Sequence, residues 1–311
     1  MIEIVARSAG MREAVRLAAR VAATEANILI TGESGAGKDA LAFFIHAKSK
    51  RPAGPLVKID CATMPADLLE AELFGYERGA FTGATEAKPG RIEAANKGTL
   101  ILDEIAQFSV DAQAKLLRVI ERREFERLGG RRTIKVDARL IALTNVDLDQ
   151  AVKRREFRED LFYRLNVVHI RVPALRERPE DLAKLATVFL DNYAAKHGRK
   201  LNGISPGVIA TLRAYDFPGN VRELANIIER AVIVAQGKRI EADDLPEGIQ
   251  AAVKVMSRRD NPMSLAQVEA EYISETMAAT KGNKTEASRI LGISRKSLYE
   301  RLARIQKGEE G

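Results

Sequence analysis

The 311-residue chain is 46% apolar and 30% charged, with a net charge of +7, one cysteine and three histidines. This is the composition of a soluble globular protein long enough for two or three domains; the single Cys61 excludes an internal disulfide and a cysteine-based zinc site, and His46, His169 and His197 are too scattered to suggest a metal centre. No apolar run reaches the length of a membrane span and the N-terminus is too charged for a signal peptide, so a cytoplasmic protein with no membrane partner is expected.

The apolar run 27–30 leads into GESGAGKD, residues 32–39, and a second apolar run follows at 40–45. A glycine-rich loop between a strand and a helix turns successive backbone N–H groups onto a phosphate, and the helix N-terminus adds its positive end. Gly32, Glu33, Ser34, Gly35, Ala36, Gly37, Lys38 and Asp39 are therefore read as a nucleoside triphosphate cradle, with Lys38 reaching the terminal phosphates. Asp39 stands where a generic P-loop has the Ser or Thr that holds magnesium. A carboxylate is also a hard oxygen ligand, so Asp39 remains a candidate metal ligand.

Strand-like runs at 28–30, 56–59, 99–102 and 140–143 alternate with helical stretches, which predicts an α/β fold with a parallel sheet covered on both faces. Ligands bind such sheets at the carboxyl ends of strands, and three of these runs end in polar residues: Asp60, then Asp103-Glu104, then Thr144-Asn145. Downstream of a P-loop, Asp103 is suited to hold magnesium and Glu104 to orient and deprotonate the attacking water. Between the second and third runs lies GAFTGA, residues 79–84, after Glu72-Leu73-Phe74-Gly75. Glycines around an aromatic and a threonine make a flexible loop whose tip can touch another molecule, or a mobile surface loop with no partner.

From 179 to 245 the pattern is helical, with Leu182, Leu185, Ala186 and Phe189, and Val221, Leu224, Ile227, Ile228 and Ala231, at helical spacing. Residues 248–263 read as a linker. The final module begins at Ser264, whose spacing to Gln267 fits a capping box before a helix bearing Leu265, Val268, Tyr272 and Met277. A short helix over 285–291, a turn at Gly292 and a last helix from near Ser294 follow, with Leu298, Leu302 and Ile305 as the buried stripe of that last helix. Residues 281–307 carry eight basic residues against two acidic ones, nearly the whole surplus of the chain, and point to nucleic acid. The layout is that of a helix-turn-helix, or otherwise a basic solvated hairpin. Its candidate DNA contacts are Lys284, Thr285, Ser294, Arg295, Lys296, Tyr299 and Arg304, with Lys307 also outward.

GAFTGA, together with GESGAGKD, ELFG, GTLILDE, FREDLFYRL, LRERPEDL and PGNVREL, resembles the bacterial enhancer-binding proteins of the NtrC type across residues 4–245. These are AAA+ ATPases that activate RNA polymerase carrying sigma-54. The last module is similar to the Fis-type domain of such activators, in which paired modules bind a dyad-symmetric enhancer. The resemblance implies an AAA+ α/β subdomain at 1–177, a helical lid at 178–247, the linker at 248–263 and a helix-turn-helix domain at 264–307. It implies ATP and Mg2+ as cofactors. The partners implied are the sigma-54 RNA polymerase holoenzyme, enhancer DNA and other copies of the chain, a hexamer when active and a dimer possible at rest. Phe81 and Thr82 would form the loop tip that contacts sigma-54. Thr144 and Asn145 fall at sensor I and Arg222 at sensor II, while Arg158 and Arg164 match arginine fingers that complete a neighbour's site. Phe217 takes the place of a frequent tryptophan.

Asp60 departs from the family, which usually has an asparagine there that hydrogen-bonds the Glu104 position. An ionised aspartate cannot donate, so either the two carboxylates share a proton, or Glu104 is pushed towards the water, or a nearby lysine or backbone N–H neutralises Asp60 and nothing changes. Two rival functions are a DNA-binding regulator without ATPase coupling, disfavoured by the intact Lys38, Asp103, Glu104 and GAFTGA, and another AAA+ machine such as a helicase loader, which would lack that loop. No receiver or sensory domain is read before Ile4, which fits either a naturally short protein under a separate partner or a chain lacking its regulatory domain.

Overall fold

Helix α1 (Ala9–Ala22) begins where Ser8 Oγ accepts the Met11 N–H, and strand β1 (Ile28–Thr31) carries the chain from it into the sheet. The computed structural model describes residues 4–249 and 264–307 in two units, Met1–Pro246 and Glu247–Gly311. In the first unit the chain continues through α2 (Lys38–Ala47), β2 (Leu56–Asp60), α3 (Ala66–Phe74), the paired β3 (Gly75–Tyr76) and β4 (Lys88–Pro89), α4 (Arg91–Ala94) and β5 (Thr99–Asp103). Then come α5 (Val110–Arg122), a second short pair β6 (Glu124–Glu126) and β7 (Thr133–Lys135), β8 (Arg139–Thr144), α6 (Leu148–Lys153), α7 (Glu159–Leu165) and β9 (Val168–Arg171).

The four strands read from the sequence are β1, β2, β5 and β8. They pair in parallel with β9 in the order β2-β5-β8-β1-β9. The fifth strand escaped the sequence reading because β9 lies at the sheet edge and buries only Ile170 fully. Alternation explains why the central strands look uniformly apolar. Leu29, Leu100, Leu102, Leu140 and Ala142 enter a core shared with α3 and α5, whereas Ile28, Ile30, Ile101, Ile141 and Leu143 enter the opposite core with α1 and α2. Each such aliphatic side chain contributes roughly 1.5–3 kcal/mol on burial, so the sheet is held from both faces. The register pairs Asp60 with Asp103 and Thr31 with Thr144, which brings the polar strand ends to one level.

Three helices, α8 (Pro179–Lys196), α9 (Pro206–Arg213) and α10 (Asn220–Val234), follow as a small helical subdomain. Its fully buried Asp181 is tolerated because it accepts from the Arg7 N–H, from the Ser8 N–H at 2.9 Å and from Ser8 Oγ at 2.9 Å. Leu182, Leu185, Ala186, Leu224, Ile227, Ile228 and Ala231 are core residues as expected. Phe189 and Val221, counted with that stripe, instead line a cleft. Phe217, only 1% exposed, fills the position read as a tryptophan replacement and meets Tyr215 edge to face at 5.1 Å.

The C-terminal unit holds helices Leu265–Ala279, Lys284–Ile290 and Arg295–Lys307 around Ile273, Ala287 and Leu298, with Met277, Leu291, Ile293 and Leu302 packed against them. One expectation is corrected: Ile305 is 39% exposed, because the stripe ends at Leu302. Tyr272 is 53% exposed, since the buried face of its helix runs through Ile273 and, one turn on, Met277. The Gln267 and Lys307 side chains and most of the expected linker, 250–263, lie outside the described residues.

Candidate active site

The loop between β1 and α2 is shaped by its glycines. Gly35 adopts φ +73° where an added Cβ would stand 2.4 Å from the Gly219 carbonyl oxygen, so the helical subdomain can approach only a glycine. Gly37 caps α2 at φ +104°, and Gly37, Lys38, Asp39 and Ala40 line the cleft, so the start of α2, whose first-turn N–H groups have no intrahelical partner, borders it. That cradle suits a phosphate. Val221 N–H also bonds the Gly35 carbonyl at 3.0 Å, fastening α10 to the loop.

Lys38 is 6% exposed and donates to the carbonyls of Gly32 at 2.8 Å and Glu33 at 3.2 Å, with Glu104 Oε1 at 3.6 Å. Glu104 sits in the left-handed region at φ 56°, a costly conformation for a residue with a side chain, which the surrounding structure must hold. Its Oε2 accepts the Asn145 N–H at 3.1 Å, so the strand end of β8 steers it through backbone rather than through the Asn145 amide. Thr144 is fully buried and accepts the Val146 N–H. Asp60 turns to the Ala62 N–H at 3.0 Å. The two carboxylates that the sequence set against each other have separate backbone partners here, the Ala62 N–H for Asp60 and the Asn145 N–H for Glu104.

Asp39 and Asp103 converge on one ammonium: Lys58 Nζ lies 2.6 Å from Asp39 Oδ1 and 2.8 Å from Asp103 Oδ2. Burial lowers the Lys58 pKa, but its hydrogen bonds to Asp103 and Asp39 outweigh that and leave it raised. The sequence reading passed over Lys58. A resident cation between two carboxylates shows that both can serve one positive centre, and a pair of acids supplemented by phosphate oxygens is a donor set that fits magnesium. Among the described residues no group of three or more His, Cys, Asp or Glu could hold a metal.

These residues line a cleft of about 430 Å³ between Ser34, Gly35, Gly37, Lys38, Asp39, Asp60, Asp103 and Glu104 on one side and Phe189, Val221, Arg222 and Ala225 on the other. Arg222 reaches it by donating to Ser34 Oγ at 3.1 Å. Two residues of the expected cradle do other work. Ala36 is buried and its carbonyl accepts from the buried Arg178. The Arg176 guanidinium and the Asn220 amide, hydrogen-bonded to Glu33, hold its carboxyl down to about 2. Asn220, at φ 54° and fully buried, also donates to the Ser34 carbonyl and accepts the Leu175 N–H at 2.8 Å. Sequence reasoning missed Asn220 and Arg176; a polar residue directly after Pro-Gly was the available signal for the first.

Arg158 and Arg164 do not line this cleft. Arg158 forks onto Asp160 at 3.0 and 2.7 Å beside Tyr163, at a separate surface hollow, and Arg164 pairs with Glu121 at 2.9 Å. Phe81 and Thr82 are exposed at the tip of a loop closed by Gly79 N–H to the Ala84 carbonyl at 2.8 Å, with the Phe81 ring edge-on to Tyr76. In the C-terminal unit all seven candidate DNA contacts are exposed. Ser294 Oγ caps the last helix by accepting the Ser297 N–H, and Lys284 lies over the Tyr299 ring at 4.4 Å.

A parallel sheet with a P-loop and a helical lid over the cleft defines an AAA+ ATPase. Residues 4–171 match the family described as the sigma-54 interaction domain, 176–262 the AAA+ ATPase lid domain and 264–304 the Fis family of bacterial regulatory proteins. The regulatory protein AtoC of Escherichia coli is 45% identical over 96% of this chain and 67% of its own length; FlbD of Caulobacter vibrioides is 45% identical over 96% and 69%. The crystal structure of NtrX from Brucella abortus in complex with ATP superposes with a TM-score of 0.73 at 37% identity, covering 97% of this chain and 69% of that one. A reconstruction of Hsp104, with a TM-score of 0.54 at 17% identity, covers 72% of this chain and 44% of its own, and shares the fold alone. The chain belongs to the sigma-54-dependent transcriptional regulators, ATPases with an AAA+ domain and a Fis-type DNA-binding module. Among the described residues no helix is long and apolar enough to cross a membrane.

Proposed function

We propose that the protein binds enhancer DNA through its C-terminal module, assembles into a ring, a hexamer when active and a dimer possible at rest, and uses ATP hydrolysis to remodel the closed sigma-54 RNA polymerase promoter complex in the cytoplasm. The observation that carries this reading is a split. Lys38, Asp103 and Glu104 converge on one cleft, while Arg158 and Arg164 lie outside it, as residues serving a neighbouring copy's site would.

In this account the first-turn amides of α2 and Lys38 bind the phosphates, and Arg222 carries the lid's approach to them. Magnesium between Asp39 and Asp103 would supply neutralisation of phosphate charge. Glu104, freed from Lys38 when that ammonium turns to phosphate, orients the attacking water and accepts its proton, still steered by the Asn145 N–H. Arg158 and Arg164 leave Asp160 and Glu121 to stabilise charge in the neighbour's site. Phe81 and Thr82, on a loop hinged by Gly79 and Gly83, touch sigma-54.

Assembly-dependent catalysis makes a plain prediction. ATP turnover per subunit rises with protein concentration, and stimulated transcription requires polymerase carrying sigma-54. Turnover independent of concentration, or equal stimulation of polymerase with another sigma factor, contradicts the reading.

A further inference from the structure

Strand β2 lies beside β5 with Lys58 opposite Ile101, two residues short of the paired strand ends Asp60 and Asp103. A lysine stem starting there runs forward along the sheet, and its ammonium arrives between Asp103 on β5 and Asp39 in the first turn of α2. The three side chains are 30%, 15% and 38% exposed, shielded enough for the charges to be felt and open enough for the ammonium to move.

We propose that Lys58 is the resident counter-ion of the Asp39–Asp103 pair, exchanged for the divalent cation when metal-bound nucleotide enters, and so sets how strongly nucleotide binding depends on metal. The proposal rests on the nucleotide-binding reading of the cleft. Two consequences have opposite sign. Without metal, Lys58 cancels one of two carboxylate charges that would repel the phosphates, so it strengthens metal-free binding. With metal, the ammonium occupies the place between the same oxygens, so it weakens the hold on the cation. Lys58 is a positioning residue here, acting through Asp39 and Asp103.

The test titrates fluorescently labelled ADP onto the full chain, first in a chelator and then across a magnesium series, for the wild type and for Lys58→Met, which keeps an unbranched apolar stem and removes the charge. For a unit charge a few ångströms away in a partly screened cleft, metal-free affinity should fall about tenfold in the variant and the magnesium concentration giving half the metal-induced gain should fall by about the same factor. Lys58→Arg restores the metal-free affinity, and thermal melts confirm that both variants fold; if Lys58→Met does not, Lys58→Gln, a shorter polar side chain without the charge, takes its place. Affinity and magnesium midpoint both unchanged, or both weakened together as general damage would give, overturn the proposal. Failure of the wild type to bind the nucleotide with or without magnesium would overturn the cleft assignment itself, and this inference with it.

Discussion

Lys38→Ala loses ATP turnover by a factor on the order of a hundred to a thousand, the range for deleting one preorganised donor to developing charge. Its ammonium has no substitute. Arg222, the other cation lining the cleft, approaches from the lid and is tied to Ser34 Oγ. The variant also frees Glu104 Oε1, leaving that carboxylate on the Asn145 N–H alone, and an unpaired anion facing the phosphates deepens the defect. Direct nucleotide titration beside a turnover assay checks the result. Turnover near the wild-type rate would place the catalytic site elsewhere.

Arg158→Ala is expected to lose turnover on the order of a thousandfold or more, the scale of a trans-acting arginine finger, while each subunit's nucleotide cleft stays intact. Here the geometry gives a prediction that a local structural role does not share. Mixing Arg158→Ala with Lys38→Ala, each inactive alone, should recover turnover at interfaces that join a sound P-loop to a sound finger, about a quarter of them at equal mixing if copies assemble at random. Within its own subunit Arg158 only braces Asp160, an exposed pair of the kind that contributes little to stability. Absence of recovery at every mixing ratio would leave Arg158 as a local brace.

Much of this site was legible because chemistry restricts the residues that can perform it. A loop that turns amides onto phosphate needs glycines at Gly35 and Gly37, and a strand delivering two acids to a metal and a water reads as an apolar run ending in Asp103-Glu104. Residues that act through another side chain were not legible. Lys58 looks like any polar residue on a strand, because its partners Asp39 and Asp103 are distant in sequence and meet it only once β2, β5 and α2 are packed. Asn220 hides similarly, since its left-handed backbone and its bonds to Glu33, Ser34 and Leu175 exist only after α10 has docked on the P-loop. Asp60 was legible as a departure but not in its effect: sequence cannot tell whether a carboxylate faces Glu104 or its own chain two residues on, and the backbone turn gives it Ala62. Near the end of the last helix, Ile305 continues the apolar period of Leu298 and Leu302 yet lies exposed, because the packed stripe ends at Leu302.

The central claim is that hydrolysis in the cleft is transmitted to sigma-54 through the exposed loop tip, and Thr82→Ala separates the two. Thr82 touches neither Lys38 nor Glu104 and lies at the end of a loop anchored by Gly79 and Ala84. ATP turnover and promoter opening by sigma-54 polymerase, the latter followed by a fluorescent base in the melted region, are to be measured on the same preparation. The account predicts turnover and assembly like those of the wild type with promoter opening lost. Equal loss of both activities, or promoter opening retained, would contradict it.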